Sequence, residues 1–298
     1  MRTWIAALMF VAGPAVAAAD DRGWGYLIDR LVEDGLPRER VVAAFEDPRV
    51  EPFVGLQFSA TPPREPRSRY RRLLRPASIN AARRCRARYA PAFDGAERQY
   101  GVPANVLAAI LSIESGCGRN TGSQLVLHRL ARLAMANEPA NLDDNIARLA
   151  GDSPHRDRTI EAKVRARARY LEATFYPEVR ALFAAADRMG VDPLAIRGSG
   201  SGAFGYPQFL PSSYVAYGVD ADGDGRVSLY DPDDAVASCA HFFVGHGWRP
   251  GLSLAEQRAV VWQYNKSSAY ADAVMTMASR IGTPGPARRG TVVSLRQR

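Results

Sequence analysis

The chain has 298 residues, of which 47% are hydrophobic and 23% are charged. This balance fits a globular protein with one extended core or two lobes, and it excludes disorder along the whole chain. The formal net charge of +8 at pH 7 indicates an anionic partner without naming it, although arginines scattered over solvated helix faces give the same balance.

The N-terminus has the pattern of an export signal. Arg2 precedes an apolar run over residues 4–13, and small residues follow as far as Ala19. This order predicts a secretory signal peptide over residues 1–19. The apolar run is about half of the roughly 20 residues that span a bilayer, so we expect cleavage and no transmembrane segment in the mature chain. A short N-terminal anchor is the alternative. The expected location is periplasmic or secreted, where the anionic partner is cell wall and not nucleic acid.

The rest of the chain predicts helices. Residues 20–76 are interpreted as an N-terminal helical extension that ends in a Pro- and Arg-rich linker. After it, apolar residues recur at helical spacing and no segment alternates long enough to favour a sheet. Residues 282–298 are predicted to be a flexible tail. The fold class is therefore mostly α, with helices predicted at 79–100, 103–117, 124–135, 159–173, 177–189, 232–246, 254–264 and 267–281, where Pro103, Pro177 and Pro232 suit a first turn.

The predicted helix 103–117 carries a carboxylate on its apolar stripe. Leu107, Ile110 and Leu111 share one face, and Glu114 continues it. Desolvation of a carboxyl group raises its pKa, which keeps a proton available for donation to a leaving oxygen. A glutamate at a helix end can equally turn to solvent or pair with an arginine, so this helix by itself leaves both interpretations open.

Two predicted helices bring a pair of cysteines to the same height. The connection between helices 79–100 and 103–117 is very short, so the helices should pack antiparallel. Cys85 and Cys117 lie almost equally far from the turn at 1.5 Å per residue, which favours a disulfide in an oxidising compartment. Cys239 is then expected to be buried and reduced. Three unpaired thiols, or a link to Cys239, are the alternatives.

Residues 220–231, DADGDGRVSLYD, match a twelve-residue EF-hand loop. The expected Ca²⁺ ligands are the side chains of Asp220, Asp222, Asp224, Ser228 and Asp231 and the carbonyl of Arg226. A metal-free Asp and Gly turn is the alternative. Sensors usually have paired loops, so this lone loop favours a structural Ca²⁺ site.

Three blocks of the chain resemble motifs of the family B lytic murein transglycosylases. Residues 101–122, GVPANVLAAILSIESGCGRNTG, resemble the segment around that family's catalytic glutamate. Residues 199–217, SGSGAFGYPQFLPSSYVAY, resemble its G-A-x-G-x-x-Q-F-x-P-S-S-Y signature, and residues 264–270, YNKSSAY, resemble its Y-N-x-S-x-x-Y segment. The resemblance implies a lysozyme-like catalytic domain over residues 77–281, with the EF-hand-like loop inside it.

The resemblance also implies roles for individual residues. Glu114 matches the single catalytic acid and base. The positions that match the glycan groove are Ser199, Gln208, Tyr264, Asn265 and Tyr270. Phe242 stands where the family often has a groove tyrosine, so a stacking face remains there without its hydroxyl group. The arginine pair that the family places after the catalytic helix is not recognisable between residues 135 and 144.

The implied activity is cleavage of the β-1,4 bond between N-acetylmuramic acid and N-acetylglucosamine in peptidoglycan glycan strands. Ordinary glycosidases use two carboxylates, but no second Asp or Glu occurs in the three blocks. The family answers with attack by the substrate's own 6-hydroxyl, which leaves a 1,6-anhydro sugar and needs no catalytic cofactor. We expect a monomer. The alternatives are a lysozyme-like hydrolase and a non-catalytic calcium-binding protein of the cell wall.

Overall fold

The computed structural model describes residues 21–61, 67–151 and 157–282. The signal peptide predicted at 1–19 and the tail beyond residue 282 lie outside the described residues. Among the helices that are described, none is both long and apolar enough to cross a membrane.

The chain divides into two compact units, Met1–Val54 and Gly55–Arg298. The first contains helices α1, Gly25–Glu33, and α2, Arg38–Glu46. The fully buried ring of Trp24 lies 5.2 Å from that of Phe45 and 5.3 Å from that of Phe53. This unit therefore has its own small aromatic core. Residues 55–61 and 67–76, which the sequence assigns to the extension, group with the second unit, and the domain limits at 19, 76 and 281 stay predictions.

The second unit is mostly helical in its described residues, which confirms the mostly α fold class. Its helices are α3 Arg67–Leu73, α4 Pro76–Arg88, α5 Ala90–Tyr100, α6 Ala104–Ser115, α7 Val126–Ala134, α8 Pro139–Ala150, α9 Arg158–Met189, α10 Pro211–Tyr217, α11 Pro232–Gly245, α12 Leu254–Asn265 and α13 Ser268–Gly282. Strands β1, Gln124–Leu125, and β2, Arg197–Gly198, form one short antiparallel pair.

Helix α6 lies at the centre of this unit. Seven of the eight positions over 104–111 are buried, with Asn105 as the exception, and a helix that is apolar on all sides belongs in a core. It packs against α4, α5, α11 and α13. The helix ends at Gly116, whose φ of +60° gives the left-handed C-cap that glycine adopts without strain. The last turn of α6, which carries Glu114, is thus held on a rigid support.

The prediction that a helix begins at Pro177 is wrong, because Pro177 lies inside the 32-residue helix α9. An internal proline costs about 3 kcal/mol, since it removes one hydrogen bond and crowds the preceding turn. Helix α9 packs against α7, α8 and α10, and it buries Val164 and Leu171 before the proline and Val179 and Leu182 after it. This burial on both sides outweighs the local cost.

The predicted helix 79–100 is interrupted at Tyr89, where φ is −112° and ψ is +35°. Helix α5 begins immediately afterwards, with Pro91 in its first turn. A proline in the first turn loses no helical hydrogen bond. The sequence therefore contained the signal for a new helix here, and α4 and α5 are separate elements.

Helix α8 has no counterpart among the predicted helices because its inner face is polar. Asn141 and Asn145 are both buried, and each binds the extended segment 55–60. Asn141 Oδ1 accepts from Leu56 N at 2.6 Å, while Asn145 Nδ2 donates to Leu56 O at 2.8 Å and its Oδ1 accepts from Phe58 N at 3.2 Å. These side-chain amides satisfy backbone N–H and C=O groups of the segment, which would otherwise need a neighbouring strand as their hydrogen-bond partner.

Candidate active site

Glu114 and Tyr270 meet although 156 residues separate them. The Tyr270 hydroxyl donates a hydrogen bond to Glu114 Oε1 at 2.6 Å. Tyr270 lies in the first turn of α13 and is only 1% exposed, whereas Glu114 is half-buried. Burial and the neighbouring Glu114 carboxylate raise the pKa of Tyr270 well above its ordinary value. The phenol therefore remains a proton donor at every physiological pH.

Glu114 lines two adjoining cavities. One, of about 670 Å³, extends along the Gly-rich segment after β2, and the other, of about 450 Å³, extends toward α3 and α4. Asn120 also lines both. Among the described residues, Glu114 is the single acidic side chain in the lining of either cavity. Four predicted groove residues line the larger cavity, namely Ser199, Gln208, Tyr264 and Asn265.

Gln208 fastens the Gly-rich segment to the chain that follows α6. Its Nε2 donates to Thr121 O at 3.0 Å and to Gly205 O at 2.9 Å, and its own φ is +53°. Ser199 Oγ accepts from Ala203 N at 3.2 Å and so braces the same segment. Both side chains are structural braces that also line the cavity. Because both hydrogen bonds of the Gln208 side chain use its amide nitrogen, its amide oxygen is available to a ligand.

Aromatic rings support the site from behind. The Tyr264 ring lies parallel to that of Tyr270, with centroids 6.2 Å apart, and its hydroxyl donates to Pro207 O at 2.6 Å. Phe242 is 7% exposed and lies among Phe209, His246 and Tyr264. Its ring is therefore covered by neighbours and lines neither cavity. We assign Phe242 to holding Tyr264 in place, in contrast to the glycan-stacking role that the sequence predicts.

Tyr70 is a site residue that the sequence analysis missed. It comes from α3, is 5% exposed, and packs edge-on against the Tyr270 ring at 6.0 Å. Its hydroxyl accepts a hydrogen bond from Asn265 Nδ2 at 3.4 Å. The surrounding run of arginines has no apolar periodicity, so the one signal was a large aromatic residue in an otherwise basic segment. Tyr70 links α3 to two predicted site residues, Asn265 and Tyr270.

The EF-hand-like loop contains two groups of neighbouring carboxylates. Ligand oxygens of Asp220, Asp222 and Asp224 lie within 4.8 Å of one another, and the same holds for Asp222, Asp231 and Asp234. Asp231 Oδ1 accepts from Asp233 N and caps α11. Oxygen donors at this density suit a hard cation, so the residues present fit Ca²⁺. Ser228 and Arg226, the predicted hydroxyl and carbonyl ligands, lie in the same loop.

Asp234 is a second residue that the sequence analysis missed. It lies outside the twelve-residue window and is 2% exposed. Its two carboxylate oxygens accept from Ala221 N at 2.7 Å and from Ser228 N at 2.6 Å, so it joins the two sides of the loop. Burial raises the pKa of Asp234. A buried acid with both oxygens used by the loop backbone is a brace as well as a candidate ligand.

Cys85 and Cys117 form a disulfide, with Cα atoms 6.1 Å apart. Cys85 lies on α4, before the interruption at Tyr89, and Cys117 follows the C-cap of α6. Helix α4 packs directly on α6, so the pairing does not need the continuous hairpin that the sequence analysis assumed. Cys239 is free and buried, and burial raises the pKa of its thiol.

Comparison with known proteins finds a family model, described as Transglycosylase SLT domain, that matches residues 20–260. Membrane-bound lytic murein transglycosylase B of Escherichia coli (strain K12) is 35% identical over 167 residues, which is 56% of this chain and 38% of the relative. The chain thus aligns with well under half the length of that curated relative.

Solved structures share the fold. The Escherichia coli lytic transglycosylase SLT35 in complex with bulgecin A superimposes with a TM-score of 0.63 at 23% identity, covering 88% of this chain and 93% of that one. Soluble lytic transglycosylase SltB1 from Pseudomonas aeruginosa superimposes with a TM-score of 0.64 at 25% identity, covering 87% of this chain and 97% of that one. The Escherichia coli lytic transglycosylase SLT35 in complex with calcium superimposes with a TM-score of 0.62 at 23% identity, covering 88% of this chain and 93% of that one. These likenesses confirm the fold class.

Proposed function

Because the chain belongs to the Transglycosylase SLT domain family, we propose that it is a lytic transglycosylase of peptidoglycan. It cleaves the β-1,4 bond between N-acetylmuramic acid and N-acetylglucosamine and leaves 1,6-anhydro-N-acetylmuramic acid ends. The observation that carries this proposal is that Glu114 is the single acidic side chain lining either cavity in the described part of the chain. A hydrolase of the ordinary kind uses a second carboxylate within about 5–10 Å.

The proposed reaction uses Glu114 twice. Glu114 first donates its proton to the glycosidic oxygen as the bond to the anomeric carbon breaks. The 6-hydroxyl of the same muramic acid then attacks that carbon, and Glu114 accepts the hydroxyl proton. Water is not consumed, and the glutamate returns to its starting protonation state. The Tyr270 hydrogen bond of 2.6 Å fixes the carboxyl group in place and stabilises its ionised form between the two steps.

The glycan strand lies, in this proposal, along the larger cavity. The Tyr264 ring borders the cavity beside the amides of Gln208 and Asn265, and Ser199 adds a hydroxyl group. Sugars are bound by such amide and hydroxyl groups next to aromatic rings. Asn265 is exposed, but its hydrogen bond to Tyr70 limits its rotamers.

The loop at 220–231 is proposed to bind one structural Ca²⁺. The ligands are Asp220, Asp222, Asp224, Ser228 and Asp231 and the carbonyl of Arg226, with Asp234 as brace or further ligand. A cation there would neutralise a cluster of like charges between α10 and α11. The loop lines neither of the two cavities beside Glu114, so no catalytic step uses the ion. The calcium complex of SLT35 supports the choice of metal.

The substrate and the signal-like residues 1–19 together support a periplasmic or secreted location, with the protein acting as a monomer on glycan strands. Mass spectrometry of products from purified peptidoglycan in ¹⁸O-labelled water tests the activity. We expect anhydromuramic ends without label. Reducing muramic ends that carry ¹⁸O would show a hydrolase, and binding without cleavage would show a wall-binding protein.

A further inference from the structure

A third cavity, of about 290 Å³, opens beside the cavity that runs from Glu114 toward α3 and α4. The two share Ala81, Gly116, Cys117 and Arg119 in their linings, so they form one continuous depression. Arg84 and Arg88 from α4 complete the wall of the third cavity together with Tyr89. We call this space, defined by Arg84, Arg88 and Arg119, the arginine pocket.

The arginine pocket concentrates positive charge without internal compensation. Arg84 and Arg88 are four residues apart and therefore lie on the same face of α4, where like charges repel. All three arginines are exposed, and none of them forms an ion pair with a carboxylate of the described residues. Such an arrangement costs stability, which suits a surface kept for an anionic ligand.

Two of the three side chains make contacts that orient them without using up their N–H donors. The Arg88 guanidinium lies 5.2 Å from the centroid of the Tyr89 ring, and Arg119 Nε donates to Gly116 O at 2.9 Å. A guanidinium group has five N–H donors in a fixed fork that matches a carboxylate. Arg119 therefore retains most of its donors, and the pocket offers several forks above one aromatic ring.

We propose that the arginine pocket binds carboxylates of the peptide stems attached to the glycan strand. This inference rests on the proposed function, because the muramic acid at the scissile bond carries such a stem through its lactyl group. A branch leaving the sugar at Glu114 can enter the adjoining pocket without leaving the protein surface.

The disulfide sets the geometry of this pocket. Cys85 and Cys117 both line it, and their bond joins α4, which carries Arg84 and Arg88, to the turn that carries Arg119. Cys117 is three residues from Glu114 in sequence. The distance between the peptide-binding charges and the catalytic carboxyl group is thereby held by a covalent link.

The test compares two muropeptide oligomers with the same glycan, one whose stems carry free carboxylates and one whose stems carry carboxamides. We expect wild-type kcat/KM to be about fivefold higher on the carboxylate form, since arginine–carboxylate contacts at exposed sites are individually weak. The Arg84→Gln/Arg88→Gln variant should lower kcat/KM on the carboxylate form until the ratio approaches one.

The matched control is Arg167→Gln/Arg169→Gln on α9, which removes the same charge from residues that line none of the three cavities. It should keep the fivefold ratio. A wild-type ratio of one, or a ratio that the Arg84→Gln/Arg88→Gln variant preserves, would overturn the arginine pocket while leaving the proposed function intact. Cleavage of neither oligomer by the wild type would overturn both proposals.

Discussion

Glu114 combines a rigid support with access to ligand because it lies where a core helix ends. Residues on all sides of α6 are buried up to Leu111, and the next turn reaches the two cavities. A carboxyl group in this position has its backbone fixed by packing and its oxygens directed by Tyr270. Positioning of this kind lowers the cost of organising the site at the moment of reaction.

Replacing Glu114 with glutamine should reduce cleavage by at least about 10²-fold, because the amide can neither donate an acidic proton nor accept one. The amide oxygen keeps the hydrogen bond from Tyr270, so the fold should be unchanged by circular dichroism. Glu33→Gln makes the same chemical change at an exposed position of α1 and should retain full activity. Glu114→Gln activity within tenfold of the wild type would refute the assignment.

Replacing Tyr270 with phenylalanine should lower kcat about tenfold with little change in KM. Tyr270 is buried and lines neither cavity, so it acts through Glu114, and a hydrogen bond to a charged group contributes about 1.5–3 kcal/mol. Steady-state kinetics of Tyr264→Phe gives the comparison, because that hydroxyl binds Pro207 O instead. A raised KM with unchanged kcat in Tyr270→Phe would mean that Tyr270 contacts the substrate.

At the scale of elements, the link between α4 and the end of α6 predicts a definite thiol count. Iodoacetamide should label no cysteine in the folded protein, one after unfolding, and three after unfolding with reduction. The thiolate is the reactive species, and burial raises the pKa of the Cys239 thiol. Peptide mapping should place the unreduced label on Cys239. Label on Cys85 or Cys117 before reduction would show that the disulfide does not form in solution.

The EF-hand-like loop should make thermal stability depend on Ca²⁺. A ligand that binds the folded state stabilises it by about 2.7 kcal/mol at a hundredfold excess over its dissociation constant. Calorimetry with Ca²⁺ and then with chelator should show Tm rising and falling accordingly. Asp224→Ala should abolish the response, while Asp143→Ala, an exposed change on α8, should preserve it. An identical Tm in every condition would refute the metal site.

Helices were predictable where apolar periodicity decided them and unpredictable where polar contacts did. The segment 103–117 shows a continuous apolar stripe and becomes α6. Helix α8 instead buries Asn141 and Asn145, whose partners lie more than 80 residues earlier, and no local pattern shows these contacts. Pro139 in its first turn was a local helix signal that the sequence analysis missed. Likewise, burial along α9 overrides the local signal of Pro177.

The residues of the candidate site divide in the same way, into those that the sequence predicted and those that it did not. Glu114, Gln208, Tyr264 and Asn265 lie within motif blocks and gather around one cavity. Tyr70 meets Tyr270 through the packing of α3 against α13, and Asn265 at the end of α12 donates to the Tyr70 hydroxyl group. Asp234 closes a loop that ends, by the motif, three residues earlier. Residues that act through tertiary contacts with motif residues cannot be identified from spacing.

Across the whole molecule, several buried or half-buried tyrosines contact structural partners. Burial raises the pKa of Tyr206, Tyr214 and Tyr230 to about 12 in each case. Tyr214 is fully buried, and its hydroxyl group donates a hydrogen bond to Val227 O at 2.9 Å. The hydrogen bond between Tyr206 and Tyr89 raises the pKa of Tyr206 further. These phenols hold their protons in the folded state beyond the pH at which an unfolded tyrosine loses its own, near 10.

The folded protein should therefore lose stability between pH 10 and pH 12. In that window the unfolded chain binds fewer protons than the folded chain, so the free energy of unfolding falls as pH rises, whereas below pH 10 the contribution is complete. Urea denaturation at pH 8, 10 and 11 measures the fall. Tyr214→Phe should be less stable at pH 8, because Val227 O loses its donor, yet should show a smaller fall toward pH 11. Tyr170→Phe, at a residue that is 58% exposed, should show the wild-type fall. A free energy of unfolding that stays constant from pH 8 to pH 11 would contradict the role assigned to the buried tyrosines.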